Sequence, residues 1–351
     1  MQSGPARIVR KISEIVLPKQ FRTRSSLTIE AGWTESFFKK HMSVSQVPIL
    51  LISQVQRSGG TLLSQLFDGH SQIASYPGEL KFGPEVPEDA WPSLDITRGP
   101  RDLFTCLHDH RLVRTFREGF TKSDHDPRRF SFICFPTLHQ RLFVHACNAA
   151  EPRSSRSLFD IYFSTFFIAW LNCRSHPREA KWVTAFAPRL ASSERSLEMF
   201  FRDYPDGRLI QVLRHPKSWL SSAKGHRRTK KRNLSDADLL HAWSASTASV
   251  IRNRQIYGAS VIVIPFERLI SDTGATMEGV CRELDIEYET TMLTPTFNGE
   301  AMIANSSFAV DGDGVMQAPI SRGSTEVETG EVSDVILRMH EEASQYAIPL
   351  E

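Results

Sequence analysis

The sequence predicts an α/β fold in which helices flank both faces of a parallel sheet. Three stretches lead to this prediction: VPILLISQV and GRLIQVLRHP, each with the residues that follow it, and SVIVIPFERLI. Each begins with an apolar run expected to form a strand and continues into a segment expected to form a helix. Continuous apolar runs are typical of strands buried on both faces of a parallel sheet. Strands that alternate with helices indicate one α/β domain. We place this single domain at residues 46–351.

The first strand and helix begin at Val47. Four apolar residues share one face of the predicted helix: Leu62, Leu63, Leu66 and Phe67. This spacing is that of an amphipathic helix, and Asp68 with Gly69 is expected to end it.

The later units carry helix start and stop signals. The second strand ends at Arg214, Pro216 starts a helix, and Gly225 is expected to stop it. A long helix then opens at the Ser235 cap, with Asp238 three residues on as a weak capping box. The third strand and helix follow it.

Two regions lie outside this alternation. Residues 1–45 form an extension whose apolar residues have helical spacing on a basic background, which fits a membrane-surface helix, a helix packed on the body or a frayed arm. Residues 85–180 have weaker periodicity, and we expect mainly helical insertions on the substrate side.

Composition narrows the class of protein. A net charge of +2 gives no global attraction to nucleic acid or membrane, and the most apolar stretch, LFDIYFSTFFIAWL, is too short to span a bilayer. Five cysteines without a C-x-x-C pair suggest neither a disulfide framework nor a zinc site. We therefore expect a cytoplasmic protein without a transmembrane segment or a bound metal.

The turn after the first strand has the composition of a phosphate-binding loop. Its glycines allow close backbone approach, its amides lie at a helix N-terminus, and its arginine adds a fixed positive charge. The residues expected to contribute are Arg57, Ser58, Gly59, Gly60, Thr61 and Leu62. The loop lacks the Lys-Ser/Thr of the Walker A sequence. An ordinary glycine turn is the alternative explanation.

A second anion site is predicted at the end of the second strand. Arg214 lies at the mouth of this strand, and Ser218 and Ser222 share a face of the helix that follows. The carboxyl ends of parallel strands meet at one edge of a sheet. A single arginine after a strand is usually a surface cation, but two anion sites on two strands of one sheet are harder to explain as isolated surface residues.

Together these stretches resemble the sulfotransferases that use 3′-phosphoadenosine 5′-phosphosulfate (PAPS). QRSGGTLLSQLFDGH is similar to the family's 5′-phosphosulfate loop, and LIQVLRHPKSWLSSA to its 3′-phosphate motif. VIPFERLISD and LTPTFNGEAMIANSSF are similar to later segments of bacterial carbohydrate and tyrosylprotein-like members, so the resemblance extends from Val47 to Phe308. It implies a P-loop-like fold, PAPS as donor and PAP as product. It also implies that Arg214 and Ser222 hold the 3′-phosphate.

Several positions depart from the family pattern. Gln56 replaces the usual proline, Gly60 the first threonine, and His215 the aspartate after the arginine. The family's Lys-Thr-Pro segment has no counterpart, because KWVTAFAPRL offers Lys181 and Arg189 but no lysine at the matching place. A further resemblance, of ISRGST to an Arg-Lys-Gly cap, implies contacts of Arg322 and Gly323 with the 3′-phosphate.

Sulfuryl transfer needs in-line positioning and charge stabilisation, and a metal ion is not required. Arg57 is predicted to stabilise charge on the leaving 5′-phosphate. Glu79, in SYPGELKFG, is predicted to be the general base, as the resemblance to tyrosylprotein and heparan-type enzymes supports. His139, His108 and His110 are competing bases, and a surface carboxylate is the alternative for Glu79.

The predicted function is sulfuryl transfer from PAPS to a hydroxyl of a glycan, a lipid, another small molecule or a tyrosine. The alternatives are a P-loop-type kinase of a hydroxyl substrate and a noncatalytic nucleotide-binding protein. The basic run KGHRRTKKR (224–232) suggests an anionic acceptor, although a solvated basic loop also explains it.

Overall fold

The computed structural model describes residues 46–121, 128–152, 154–174, 180–229, 234–302 and 332–349. Its centre is a five-stranded sheet in the order β2-β3-β1-β4-β5, and each pair of neighbours is parallel. The strands are β1 (Ile49–Ile52), β2 (Ile73–Glu79), β3 (Trp182–Phe186), β4 (Arg208–Leu213) and β5 (Val261–Pro265). This sheet confirms the predicted fold class.

Eleven α-helices surround the sheet in the described part of the chain. They are α1 (Gly60–Phe67), α2 (Pro100–Leu107), α3 (Arg111–Glu118), α4 (Pro136–Ala150), α5 (Ser155–Ala169), α6 (Glu194–Asp203), α7 (Pro216–Thr229), α8 (Asp236–Tyr257), α9 (Phe266–Ser271), α10 (Thr273–Leu284) and α11 (Asp334–Ser344). A short antiparallel pair, β6 (Thr296–Phe297) and β7 (Glu300–Ala301), follows α10.

Successive residues of β1 point to opposite faces of the sheet and enter two different hydrophobic cores. Ile49 and Leu51 pack in a core with apolar residues of α4 and α5. Leu50 and Ile52 pack in a second core with residues of α1 and α10. Helices therefore cover both faces, which explains why β1 is apolar at every position.

Strands β1, β4 and β5 confirm the three predicted strands, whereas β2 and β3 were not predicted. The sequence of β2 contains Pro77 and Gly78, which indicate a turn when considered locally. The strand lies at the edge of the sheet, where proline's missing N–H costs no bond on the open side. Strand β3 has only five residues, and its pairing with β1 is a long-range contact that local patterns do not reveal.

The helix predictions need two corrections. Helix α7 continues past Gly225 to Thr229, and the single helix expected after β5 is two helices separated at Asp272, whose side chain accepts a bond from the Ala275 amide. The predicted cap of α8 is confirmed, since Ser235 and Asp238 make both bonds of a capping box. Helices α2 to α5 agree with the helical region expected within 85–180.

None of the helices in the described ranges combines the length and apolar character that crossing a membrane requires. The predicted extension, residues 1–45, lies outside the described residues.

Candidate active site

The β1-α1 turn presents a helix N-terminus without a side-chain cap. Gly59 is the N-cap residue of α1, with a left-handed φ of 98°, and it makes no side-chain capping hydrogen bond to the first turn. The leading amides of a helix have no intrahelical partner, and they favour a negatively charged group. The turn therefore has the geometry of an anion site.

Both glycines of this turn are required by close packing. A Cβ atom on Gly59 would lie 2.5 Å from Cδ2 of Phe266. A Cβ atom on Gly60 would overlap the side-chain amide of Gln54 and lie 2.5 Å from Cε2 of Phe186. The loop is thus fixed between β1, β3 and α9.

Replacing Gly60 by alanine is expected to destabilise the protein by about 1–3 kcal/mol, because the added methyl group overpacks this turn. Denaturant unfolding measures the effect, and Gly99→Ala is the matched comparison, because Gly99 has a φ of −62° and the nearest atom to a Cβ there, Oδ2 of Asp102, lies at an ordinary contact distance of 3.8 Å. An unfolding midpoint for Gly60→Ala equal to that of the wild type would contradict the packing.

Arg57 connects the loop to α7. Its backbone is left-handed, with a φ of 73°, and its Nε and Nη2 atoms donate to Oγ of Ser222 at 3.2 and 3.1 Å. Its carbonyl oxygen accepts a 2.7 Å hydrogen bond from Nη1 of Arg214. The side chain and the main chain of Arg57 thus contact both parts of the predicted donor site.

Arg214 is buried at the end of β4, with 6% of its surface exposed. Its Nε donates to Oγ of Ser218 at 3.2 Å, and its guanidinium lies 4.2 Å from the ring centroid of Phe266. Burial lowers the pKa of Arg214 to about 10, while Glu267 opposes and Arg57 adds to the decrease. Arg214 therefore keeps its positive charge at neutral pH.

The two predicted anion sites lie side by side and share contacts. Ser222, which the resemblance pairs with Arg214, is hydrogen-bonded to Arg57, whereas Ser218 contacts Arg214. The sequence analysis missed Glu267, whose Oε1 accepts hydrogen bonds from Oγ of Ser218 and the amide of His215. Its position two residues after β5, at the same edge of the sheet, was the available signal.

Glu79 is the last residue of β2, and 38% of its side chain is exposed. Nη2 of Arg111 donates to the Glu79 carbonyl at 3.0 Å, and Nη1 lies 3.8 Å from Oε2. Asp109 holds Arg111 in turn, with 2.8 Å between Oδ2 and Nη2. Glu79, Asp109 and Arg111 line a cleft of about 200 Å³ together with Thr115 and Phe120.

Glu79, Arg57 and Arg214 all lie at the carboxyl ends of the parallel strands. Glu79 ends β2, Arg57 follows β1 and Arg214 follows β4, so β3 lies between the carboxylate and the arginines. In parallel α/β sheets ligands bind outside the carboxyl ends of the strands. Glu79 thus lies at the carboxyl ends of the strands, where a base is predicted, with one strand, β3, between it and the phosphate loop.

Two of the competing bases are part of the core. His139 is fully buried, its Nε2 lies 3.1 Å from the carbonyl oxygen of Tyr162, and burial lowers its pKa to about 3. His108 stacks on Phe104 with 4.9 Å between ring centroids, and burial lowers its pKa to about 4. His139 is 0% exposed and His108 is 6% exposed, so both rings lie inside the protein. His110 lies immediately before α3.

The lowered pKa values of His108 and His139 predict that the protein becomes less stable as the pH falls. Each imidazole binds a proton near pH 6.5 in the unfolded chain but only near about 4 (His108) or 3 (His139) in the folded one. The unfolded state binds more protons in this window, so we expect the free energy of unfolding to decrease as pH falls from 6.5 to 4. Asp160, whose pKa burial raises to about 6, has the opposite and smaller effect.

Denaturant unfolding at several pH values measures this slope. His139→Gln is expected to flatten it, whereas His145→Gln, on the same helix, is the control. An identical slope in the His139→Gln variant would refute the assignment.

Two predicted contacts, Arg322 and Gly323, lie outside the described residues, as do residues 230–233 of the basic run. Nowhere in the described ranges do three or more His, Cys, Asp or Glu side chains meet as a candidate metal site.

Comparison with known proteins supports one family. A model of the sulfotransferase family matches residues 48–290 of the 351-residue chain. The chain is similar in structure to the sulfotransferase domain from the curacin biosynthetic pathway, with a TM-score of 0.54, 15% identity, and coverage of 87% of this chain and 100% of that domain. It is also similar to the sulfotransferase domain from the Synechococcus PCC 7002 olefin synthase, with a TM-score of 0.48, 14% identity, and coverage of 86% and 96%.

No curated protein matches the sequence. The match of the family model extends from β1 through α10 and includes both arginines and Glu79. The chain belongs to the sulfotransferase family.

Proposed function

We propose that this sulfotransferase moves a sulfuryl group from PAPS to an acceptor hydroxyl and releases PAP. The observation that carries the proposal is the convergence of Arg57 and Arg214 at the uncapped N-terminus of α1. Two guanidinium groups and a helix N-terminus favour a ligand with more than one anionic group. PAPS carries two such groups, a phosphosulfate at the 5′ position of its ribose and a phosphate at the 3′ position.

Each half of the nucleotide has candidate partners. The amides from Ser58 to Leu62, the Thr61 hydroxyl and the Arg57 guanidinium would hold the 5′-phosphosulfate. Arg214 with Ser218 and Ser222 would hold the 3′-phosphate. Ser222 already bonds to Arg57, so a phosphate between the two arginines would take over these contacts.

The reaction is a direct transfer in this proposal. The S–O bond to the 5′-phosphate breaks while a new S–O bond to the acceptor oxygen forms, and the acceptor proton moves to the Glu79 carboxylate. Arg57 stabilises the negative charge that grows on the leaving phosphate. Arg111 fixes the end of β2 through the Glu79 carbonyl and acts as a positioning residue.

The acceptor enters through the Glu79 cleft in this arrangement. The cleft has charges of both signs, from Glu79, Asp109, Arg111, Arg114 and Glu118, which suits a polar acceptor such as a glycan or another hydroxylated small molecule. A lipid and a tyrosine remain candidates. The basic run 224–232 supports an anionic acceptor, since clustered charge attracts anions from solution.

We also infer a cytoplasmic location, because all five cysteines are free thiols.

A P-loop-type kinase is the second candidate class. Kinases of this type hold the transferred phosphate with the Walker lysine and a magnesium ion bound by the following serine or threonine. This chain has Thr61-Leu62 after its glycine pair. The sequence therefore favours sulfuryl over phosphoryl transfer.

Calorimetry with PAPS, PAP and ATP, followed by transfer assays with sugars, lipids and tyrosine peptides, tests the proposal. We expect tight binding of PAPS and PAP, weak binding of ATP, and transfer of labelled sulfate in the presence of a chelator. Binding of ATP in preference to PAP, or transfer of phosphate from ATP, would contradict it.

A further inference from the structure

We propose that Arg189 and Lys81 bind the sulfuryl oxygens of the donor, and that Glu88 holds the two cations before the donor arrives. This inference rests on the proposed function, because it assigns a role toward the group that PAPS transfers. Neither residue belongs to the phosphate sites described above.

The position of Arg189 follows from the strand order. It lies three residues after β3, and its amide donates to the Gln54 carbonyl at 3.0 Å, which holds it beside the end of β1. Strand β3 separates the strand that ends at Glu79 from the strand that precedes Arg57. In an in-line transfer the sulfur lies between the leaving oxygen and the acceptor oxygen. The sulfuryl group therefore passes over the end of β3, where Arg189 lies.

Lys81 reaches the same place from β2. It follows Leu80, whose amide donates to the Phe186 carbonyl at 2.6 Å, so the chain leaves β2 alongside the last residue of β3. Nζ of Lys81 lies 2.6 Å from Oε1 of Glu88, and Nη2 of Arg189 lies 3.5 Å from Oε2 of the same carboxylate. Two cations thus share one carboxylate, and the cluster has a net charge of +1.

The contacts of Arg189 leave it free to bind an anion. Its ion pair with Glu88 is long, and the Glu88 side chain is 65% exposed, so the pair contributes little stability. Its buried Nε has no hydrogen-bond partner among the residues that the structure describes. A guanidinium has five N–H donors, and among the described residues Oε2 of Glu88 is the only acceptor that the Arg189 guanidinium contacts, which leaves both donors of Nη1 for sulfuryl oxygens.

The backbone of Arg189 supports a specific role. Its φ of 70° lies in the left-handed region, which residues other than glycine seldom adopt. Arg57, on the neighbouring loop, has a similar φ of 73°. Such conformations cluster at functional sites, and here they occur at two arginines on the same edge of the sheet.

The comparison of PAPS with PAP tests this inference, because only PAPS carries the sulfuryl group. The variants are Arg189→Met, Arg189→Lys and, as the matched control, Arg98→Met. Arg98 forms a similar pair with Glu85, at 3.2 Å, and its side chain is 39% exposed compared with 42% for Arg189.

We expect Arg189→Met to weaken PAPS binding or slow single-turnover transfer about tenfold, the lower range for one charge-assisted contact, with PAP affinity within about twofold of the wild type. Arg189→Lys should restore part of the loss, and Arg98→Met should change neither quantity. Glu88→Gln removes the competing carboxylate and should strengthen PAPS binding.

Three results would overturn the inference: equal losses for PAPS and PAP, no loss in Arg189→Met, or weaker PAPS binding in Glu88→Gln. Each of these results is interpreted relative to a wild-type protein that binds both PAPS and PAP. A wild type that binds neither would refute the proposed function itself, and the inference with it, so the two failures are distinguishable.

Discussion

Glu79→Gln is expected to reduce the rate of sulfuryl transfer about 100-fold or more, with PAP affinity near that of the wild type. Glutamine keeps the shape of the side chain at the end of β2, and it leaves the Glu79 carbonyl bonded to Arg111. It removes the ability to accept a proton from the acceptor hydroxyl. Single-turnover assays with PAPS and calorimetry with PAP measure the two quantities separately.

Glu118→Gln is the matched control for this prediction. Glu118 lines the same cleft and pairs with Arg114 at 3.8 Å, so its substitution changes the charge of the cleft without touching the predicted base. Its transfer rate should remain close to that of the wild type. The assignment is wrong if Glu79→Gln retains nearly full turnover while His139→Gln abolishes it with PAP binding intact.

Arg214→Ala is expected to weaken PAP by about 2 kcal/mol, or roughly 30-fold, and to affect adenosine 5′-phosphosulfate much less. The second nucleotide lacks the 3′-phosphate, so it does not make the contact assigned to Arg214. The variant also leaves Oγ of Ser218 and the carbonyl of Arg57 without the guanidinium that contacts them in the protein. Calorimetry with both nucleotides measures the difference.

Arg208→Ala is the control for this experiment. Arg208 is the first residue of the same strand, β4, and thus lies at the amino ends of the strands, away from the candidate site. Its substitution should leave both affinities unchanged. Thermal unfolding of each variant shows whether loss of the buried guanidinium has also loosened the loop, and equal weakening of the two nucleotides would refute the assignment of Arg214.

The strands that could be predicted from sequence are those with continuous apolar runs. Strands β1, β4 and β5 have this pattern because helices cover both of their faces. Strand β2 could not be predicted, since Pro77 and Gly78 indicate a turn until the edge position of the strand is known. Strand β3 depends on pairing with β1, more than 100 residues earlier, and local patterns do not contain that contact.

The same distinction holds for the candidate site. Sequence patterns predicted Arg57, Arg214 and Glu79 as candidate site residues because each follows a strand or a turn. They did not show that Arg111 holds the end of β2 from a helix 32 residues later, or that His139 is buried. A histidine in the core and a histidine that serves as a base look alike until the packing around the ring is known.

The double attachment of Arg57 has a consequence for redesign of donor specificity. Its side chain is bonded to Ser222 on α7, and its carbonyl is bonded to Arg214 after β4. Contacting residues of this kind have interaction energies of about 0.5–3 kcal/mol, so the effects of substituting them do not add. An enzyme rebuilt to accept a donor without the 3′-phosphate would need the loop, Arg214 and Ser222 exchanged as one unit.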